Sequence, residues 1–314
     1  MSRLVHVSAG PYAPPVPARE LTVTAADGAR IHVEVHGPED APAVVLSHGW
    51  CCSTAFWAAQ IRALAADHRV IAYDQRGHGR SPANPACGTE PLADDIEAVL
   101  EATLAPGERA VLAGHSMGGM TVMAAATRSK VREHAAAVLL CSTGSSRLVE
   151  SATVLPFGAG RVRTWLTRRV LGSRAPLGPV TPLARRILKY GTMGAGSAPE
   201  MVEACARIVH ACPSRVRRAW SEVLDLLDLD HGARELRMPV EIVVGTADRL
   251  TPPVHARSLA AALPNCAGLT ELPGLGHMTP VEAPDLVTGK IRALAAVHIP
   301  ADRTESAVHA EEIA

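Results

Sequence analysis

Aromatic residues are scarce in this chain, since Phe, Tyr and Trp together make up 3% of its 314 residues. Alanine, valine and leucine must therefore supply most of the core, and a hydrophobic fraction of 47% is enough for one large domain or two small ones. Neither sign of charge is in excess, because 31 Lys and Arg balance 31 Asp and Glu. We therefore expect no nucleic-acid partner.

Long hydrophobic runs are also missing. There is no run of 18 apolar residues that could span a membrane, and the first 20 residues lack the apolar segment of a secretory signal peptide. The seven cysteines form no CxxC pair and no Cys/His zinc spacing, so we expect reduced thiols and no metal site. These absences together predict a cytoplasmic protein.

Strand and helix signals alternate along most of the chain. Residues 21–37 alternate apolar and polar side chains around Asp27-Gly28, which predicts a β-hairpin. Apolar runs such as VVLS, RVIAYD, AVLAG and AAVLLCST then alternate with helical segments, a pattern typical of an α/β fold whose parallel sheet is covered on both faces. The later elements include a strand near 269–272, and the helices are expected near 55–66, 92–104, 117–128, 254–263 and 281–297.

This rhythm stops near Gly144 and resumes at Val240. The intervening residues carry helical patches separated by Pro and Gly, without strand signals, and we interpret them as a helical cap over the carboxyl ends of the strands. The predicted organisation is an N-terminal arm (1–20), a core (21–144 and 238–298), the cap (145–237) and a flexible tail (299–314).

The clearest chemical motif is Gly-His-Ser-Met-Gly at 114–118, between an apolar strand and a helix. A GxSxG sequence in that position is typical of a nucleophilic serine on a sharp turn, so Ser116 is the candidate nucleophile. Gly114 and Gly118 leave room for the turn because they carry no Cβ. A serine that only caps the helix is the alternative.

A serine hydroxyl needs a base, and position selects it among fourteen histidines. His277 follows the last strand signal, at the edge of the sheet where a ligand site is expected. Asp248 follows the strand VEIVVG and could orient the imidazole. The order Ser116, Asp248, His277 is that of an α/β-hydrolase triad. The segment after the preceding strand, Cys-Ser-Thr-Gly at 141–144, offers no carboxylate that could take the place of Asp248.

Acyl transfer also needs donors for an oxyanion. The backbone N–H groups of Trp50, after Ser-His-Gly, and of Met117, at a helix N-terminus, are the candidate pair. The side chains of Trp50, His115 and Cys51 are candidate substrate contacts, although ordinary packing would explain Trp50 equally well.

Five segments together resemble the α/β-hydrolase superfamily, in particular its serine esterases and lipases: HGW, DQRGHGRS, GHSMGG, GTADRLTPP and GLGHM, in that order. The resemblance covers about 21–297. It implies an eight-stranded, mostly parallel sheet with an inserted helical cap, and it carries the triad and the oxyanion donors onto the residues named above. It also sets aside the epoxide hydrolases and haloalkane dehalogenases, which have an aspartate where Ser116 stands. The DQRGHGRS loop is expected to brace neighbouring turns.

The expected function is hydrolysis of a carboxylic ester with a hydrophobic moiety, through an acyl-enzyme and without a cofactor. Thioester or lactone cleavage, cofactor-free perhydrolysis of the haloperoxidase type, and a non-catalytic receptor on the same fold remain alternatives. The substrate is expected to be a small-molecule or lipid-like ester.

Charge is distributed unevenly in this neutral chain. Residues 147–220 contain thirteen Lys or Arg and three Glu, so this segment is +10 and the remainder is −10. The basic segment could be a solvated surface, could pair with the acidic core, or could attract an anionic substrate or membrane surface.

Overall fold

The computed structural model describes residue 10 and residues 12–299. Residues 1–9 and 11 of the predicted arm, and residues 300–314 of the predicted tail, lie outside the described residues.

One eight-stranded sheet organises the described residues, in the spatial order β1-β2-β4-β3-β5-β6-β7-β8. β2 pairs antiparallel with β1 and with β4, and all other neighbours are parallel. The predicted fold class, an α/β-hydrolase fold with an eight-stranded and mostly parallel sheet, is confirmed. The strands are β1 (Arg19–Thr24), β2 (Arg30–His36), β3 (Ala43–Ser47), β4 (Arg69–Asp74), β5 (Ala110–His115), β6 (Ala135–Cys141), β7 (Val240–Gly245) and β8 (Cys266–Leu272).

Helices connect these strands. They are α1 (Ala58–Leu64), α2 (Thr89–Thr103), α3 (Met117–Ala124), α4 (Ser129–His134), α5 (Leu148–Ser151), α6 (Arg161–Leu171), α7 (Pro182–Thr192), α8 (Pro199–Ala211), α9 (Ser214–Leu226), α10 (Asp230–Glu235), α11 (Pro253–Ala262), α12 (Thr279–Glu282) and α13 (Pro284–His298), and a 3-10 turn lies at Thr54–Trp57.

The core lies on both faces of the sheet. Every residue of β3, β4, β5 and β6 is buried, which explains their continuous apolar sequences. Successive side chains of a strand point to opposite faces. Val45 accordingly packs in the cluster that contains Leu92 of α2, whereas Val44 packs in the cluster that contains Ile61 of α1 and Ile291 of α13.

The predicted hairpin is present between β1 and β2. Gly28 has a φ of +82°, which a residue without a Cβ adopts at little cost, and the N–H of Ala29 donates to Asp27 Oδ1 at 3.0 Å. This turn sets the antiparallel register of the first two strands.

Several predicted element bounds differ from the structure: the helix expected over 55–66 is a 3-10 turn followed by α1 and ends at Leu64, and the helix expected over 92–104 begins at Thr89. The helix expected over 117–128 ends at Ala124, where Gly232 of the distant α10 packs against the carbonyl of Met123. The helix expected over 281–297 is split before Pro284, because proline has no N–H to continue the hydrogen-bond ladder. The last strand begins at Cys266, three residues before the predicted 269, where the register against β7 shifts.

Six helices, α5 to α10, lie between β6 and β7, where the sequence indicated an interruption. The two ends of this insertion meet, since the N–H of Leu229 donates to the carbonyl of Ser145 at 2.7 Å. Its last helix, α10, packs against the core helix α3. That residues 145–237 act as one separate cap stays a prediction.

Candidate active site

Ser116 lies on a sharp turn between β5 and α3. Its φ of +51° is uncommon for a residue with a side chain, and only 8% of its surface is exposed. The flanking glycines are needed for this turn, because a Cβ on Gly114 would lie 2.6 Å from the carbonyl carbon of Gly118, and one on Gly118 would lie 2.0 Å from the carbonyl oxygen of Ser47. The geometry is that of the strained turn expected from the sequence.

His277 and Asp248 lie together at the carboxyl edge of the sheet. Asp248 follows β7, His277 follows β8, and His277 Nδ1 is 2.8 Å from Asp248 Oδ2. Both residues are 3% exposed. Because an ionised carboxylate only accepts hydrogen bonds, this contact places a proton on Nδ1 and leaves Nε2, on the opposite side of the ring, as the basic nitrogen.

The carboxylate of Asp248 is held by its own loop. Its Oδ1 accepts the backbone N–H groups of Leu250 and Thr251 at 2.8 and 2.9 Å. The hydroxyl of Thr251 lies 2.9 Å from Oδ2 and 3.1 Å from His277 Nδ1. Thr251 therefore contacts both members of the pair. The sequence analysis did not name it, although a Thr three residues after an Asp in a turn is a recognisable local hydrogen-bonding signal.

His115 joins the serine turn to the histidine loop. Its Nε2 is 2.9 Å from the carbonyl oxygen of His277, so Nε2 carries the proton, and its ring stacks on Phe56 at a centroid distance of 4.4 Å. Burial, with a contribution from His277, lowers the pKa of His115 well below its usual value. The predicted substrate contact of His115 stays a prediction, whereas its contact with the backbone of His277 is direct.

The loop after β3 contains the candidate oxyanion donor Trp50. Gly49 permits a close approach to the serine turn, since a Cβ there would lie 2.7 Å from His115 Nδ1 and 3.1 Å from Ser116 Cβ. In the part of the chain that the structure describes, the backbone N–H groups of Trp50 and Met117 do not donate to any backbone carbonyl in the turns, loops or helix caps. Both groups remain candidates for binding an oxyanion.

A buried polar network holds the loop after β3 in place. His48 Nε2 accepts the backbone N–H of Gln75 at 3.0 Å, and its Nδ1 donates to the carbonyl of Gly49 at 2.8 Å. Burial, followed by the neighbouring His78, lowers the pKa of His48 to about 3, so its ring is neutral. The side-chain amide of Gln75 donates to the carbonyl of His48, and Thr121 donates to the Gln75 oxygen at 2.8 Å. Sequence reasoning did not assign these contacts.

The DQRGHGRS segment braces its surroundings, as expected. Asp74 accepts the backbone N–H groups of Thr54 and Arg80, both at 2.8 Å. The buried guanidinium of Arg76 pairs with Asp95 at 2.6 Å and with Asp27 at 2.7 Å. This loop therefore links the turn after β4 to α2 and to the hairpin.

The side chains of Trp50 and Cys51 face the helical insertion. Trp50 Nε1 donates to the carbonyl of Arg217 at 3.1 Å. Cys51 is 4% exposed and has a φ of +62°, and its thiol lies beside that of Cys212, just after α8. Burial raises the pKa of Cys51, which keeps it a thiol. Their predicted contacts with substrate stay predictions.

Glu282 connects the histidine loop to the insertion. This carboxylate is 9% exposed and accepts the backbone N–H groups of Gly276 and Met278, on either side of His277, at 3.1 Å. It also accepts the N–H of Gly194 and the hydroxyl of Ser197, both at 2.7 Å. The sequence analysis did not identify Glu282, because its partners are up to 88 residues away.

One cluster of the described residues has metal-ligand geometry: Glu20, His32 and Glu34 offer atoms within 4.8 Å of one another. However, Arg80 Nη1 lies 2.5 Å from Glu20 Oε1 and 3.4 Å from His32 Nε2. The guanidinium of Arg80 therefore already supplies the positive charge that a bound cation would bring to this cluster. The cluster lies outside the Ser116 site, and the triad needs no metal for acyl transfer.

Comparison with known proteins identifies the family. The model of the alpha/beta hydrolase family matches residues 44–289. A non-heme chloroperoxidase from Streptomyces lividans is 32% identical over 276 residues, which cover 82% of this chain and 92% of that protein. The 3-oxoadipate enol-lactonase 1 of Acinetobacter baylyi is 35% identical over 103 residues, but this match covers only 33% of the chain and 38% of that relative.

Solved structures show the same architecture. A thermophilic esterase from Thermogutta terrifontis superposes with a TM-score of 0.72 at 25% identity, over 90% of this chain and 100% of that one. The residues matched by the family model, 44–289, include the turn that carries Ser116 and the loops that carry Asp248 and His277. This chain therefore belongs to the alpha/beta hydrolase family.

Proposed function

We propose that this protein is a serine hydrolase that cleaves a carboxylic ester with a hydrophobic moiety, through an acyl-enzyme intermediate. Ser116 is the nucleophile, His277 the general base and acid, and Asp248 the orienting carboxylate. The observation that carries the proposal is the 2.8 Å contact between Asp248 and His277. The loop of His277 is also tied to the serine turn, because His115, next to Ser116, hydrogen-bonds to the carbonyl of His277. The resemblance to an esterase over 90% of this chain supports the same chemistry.

In the first half-reaction, Ser116 Oγ attacks the ester carbonyl carbon while His277 Nε2 takes its proton. The negative charge on the carbonyl oxygen is stabilised by the N–H groups of Trp50 and Met117, each worth about 3 kcal/mol in such sites. The imidazolium then gives its proton to the departing alcohol. Asp248 stabilises the imidazolium and holds its tautomer.

In the second half-reaction, water replaces the alcohol. His277 removes a proton from water as it attacks the acyl carbon, and Ser116 leaves with that proton. No cofactor is needed for either step. The substrate is a small-molecule or lipid-like ester, and the basic segment 147–220 would attract an anionic one. The cytoplasmic location expected from the sequence stays a prediction.

Perhydrolysis is the second candidate, because one of the relatives that match over most of the chain is a chloroperoxidase. Hydrogen peroxide would then attack the acyl-enzyme in place of water and release a peracid. Lactone cleavage uses the same acyl-enzyme, and an enol-lactonase is among the shorter matches. Thioester cleavage and a non-catalytic receptor are weaker alternatives, since no specific contact favours them.

The test is turnover of p-nitrophenyl esters from acetate to palmitate by the wild-type protein and by Ser116→Ala. We expect turnover by the wild type and background rates for the variant, with the preferred chain length measuring the acyl pocket. Added hydrogen peroxide distinguishes peracid from acid as product. If no ester, thioester or lactone is turned over and a phosphonate probe fails to label Ser116, the receptor function replaces the enzymatic one.

A further inference from the structure

Exposed apolar side chains are concentrated in one short segment. Of the twelve exposed large hydrophobic residues in the described part of the chain, eight lie between 157 and 190, and we call this set the 157–190 face. They are Phe157, Val162, Trp165, Val170, Leu177, Leu183, Ile187 and Tyr190. Single exposed apolar residues need no explanation, but so many within one short segment indicate that the segment contacts something else.

Helix α7 has its apolar stripe on the solvent side. Leu183, Arg186, Ile187 and Tyr190 occur at the i, i+3, i+4 and i+7 spacing that places side chains on one helix face, and all four are exposed. Leu183 is 66% and Ile187 64% exposed, and no residue of α7 is buried. A helix that packed only against its own protein would turn this stripe inward.

Helix α6 repeats the arrangement. Thr167 is its only buried residue, whereas Val162, Trp165 and Arg169 share an exposed face. The guanidinium of Arg169 lies 5.1 Å from the centre of the Trp165 ring. An exposed tryptophan beside an arginine is a pair that suits an interface between water and hydrocarbon.

The same segment is basic throughout. Residues 157–190 contain eight Lys or Arg and not one Asp or Glu. Some of these basic side chains form ion pairs with acidic residues outside the segment. Arg168, for example, lies 2.8 Å from Asp225. Arg161, Arg169 and Arg186 have no carboxylate partner within the part of the chain that the structure describes.

A cavity of about 650 Å³ adjoins the α7 stripe. Arg185, Arg186, Lys189 and Arg207 line it, and Arg186 also belongs to the exposed stripe. Glu203 pairs with Arg185 at 2.5 Å and with Arg207 at 2.6 Å, and Glu200 also lines the cavity, so two carboxylates stand against four cations. The remaining positive charge lies where a negatively charged group could enter beside apolar side chains.

We propose that the 157–190 face docks on an anionic lipid surface. Apolar stripes on two helices would enter the headgroup region while the Lys and Arg side chains bind lipid phosphates. Charge argues against a symmetric contact with a second copy, because that arrangement would bring two strongly basic surfaces together. The contact is peripheral, since none of the described helices is long and apolar enough to cross a bilayer.

The first test is co-sedimentation of the full chain with vesicles of phosphatidylcholine alone or of equal parts phosphatidylcholine and phosphatidylglycerol. We expect binding to the anionic vesicles only, reversed by high salt. Arg161→Gln/Arg186→Gln should weaken it about 30-fold, since each cation near such a surface contributes roughly fivefold. Leu183→Ser/Ile187→Ser should weaken it at least about 10-fold through lost apolar burial.

The matched control is Val297→Ser on α13, which removes an apolar side chain that is 73% exposed outside the face. All substituted side chains are exposed, so the variants should melt like the wild type. Equal binding to both vesicle types, no binding to either, or equal weakening by Val297→Ser would each overturn the proposal. A dimer that Leu183→Ser/Ile187→Ser converts to monomer, without vesicle binding, would identify the face as a contact between copies instead.

Discussion

Replacement of Glu282 by Gln will uncouple the loop that carries His277 from the helical insertion. The carboxylate uses both oxygens: Oε1 accepts from Met278 and Gly276, while Oε2 accepts from Gly194 and Ser197. An amide of the same shape has only one oxygen. Its NH₂ group must face at least one backbone N–H, and two donors cannot form a hydrogen bond.

The size of the effect follows from the number of donors. Hydrogen bonds to charged groups contribute about 1.5–3 kcal/mol each, and a buried donor without an acceptor is costly. We expect Glu282→Gln to lower the free energy of unfolding by roughly 2–4 kcal/mol, which for a domain of this size lowers Tm by roughly 3–6 °C. A shift of about 1 Å in His277 would reduce kcat about 10–100-fold, with a smaller change in KM.

The measurement is thermal unfolding together with kcat, KM and the pH dependence of kcat on a p-nitrophenyl ester. Glu271→Gln is the control, because that residue pairs with Arg257 at the surface and the same substitution there should change little. A positioning role requires kcat to fall at temperatures where Glu282→Gln is fully folded. If the folded variant keeps wild-type kcat and pH profile, Glu282 has no influence on His277 and this reasoning is refuted.

Three further substitutions test other parts of the structure. In denaturant unfolding, Gly118→Ala should lower the free energy of unfolding by about 3 kcal/mol or more, because its Cβ would collide with the backbone at the end of β3. The control Gly289→Ala, which has open space in α13, should be neutral or slightly stabilising. Thr251→Val should reduce kcat about 5–10-fold through the lost hydroxyl contact to the triad carboxylate, and Thr251→Ser should restore it; equal loss in both variants would contradict this role. Although burial opposes ionisation, the neighbouring imidazoles of His32 and His36 lower the pKa of Glu34 from 4.5 to about 2. The stability that the ionised Glu34 contributes is therefore present above about pH 4.5 and is lost as the pH falls towards 2. In urea unfolding, the loss of unfolding free energy caused by Glu34→Gln should shrink as the pH is lowered across that window. A loss that does not change with pH would exclude a contribution from the ionisation of Glu34.

The parts of the molecule that could be predicted from sequence are those whose signals are local. Buried strands appear as apolar runs, and the serine turn needs glycines within two residues of Ser116. Asp248 and His277 could be proposed together because the carboxyl ends of neighbouring parallel strands meet at one edge. Each of these inferences needs only a short window of sequence and the direction of the strands.

The contacts that support the site could not be predicted in that way. Glu282 binds Gly194 across 88 residues, and Cys51 meets Cys212 across the insertion. The direction in which α7 turns its apolar stripe is equally invisible in sequence, because the periodicity predicts a helix and an apolar face but not what lies against it. Packing of the insertion on the core decides all three.

The division of charge between residues 147–220 and the rest of the chain makes this neutral protein a strong electric dipole. With +10 in one part and −10 in the other, its behaviour near neutral pH should be that of two opposite surfaces rather than of an uncharged particle. Cation and anion exchangers should both retain it. At low ionic strength, molecules should attract one another head to tail, and added salt should raise solubility by screening that attraction over about 10 Å at 0.1 M.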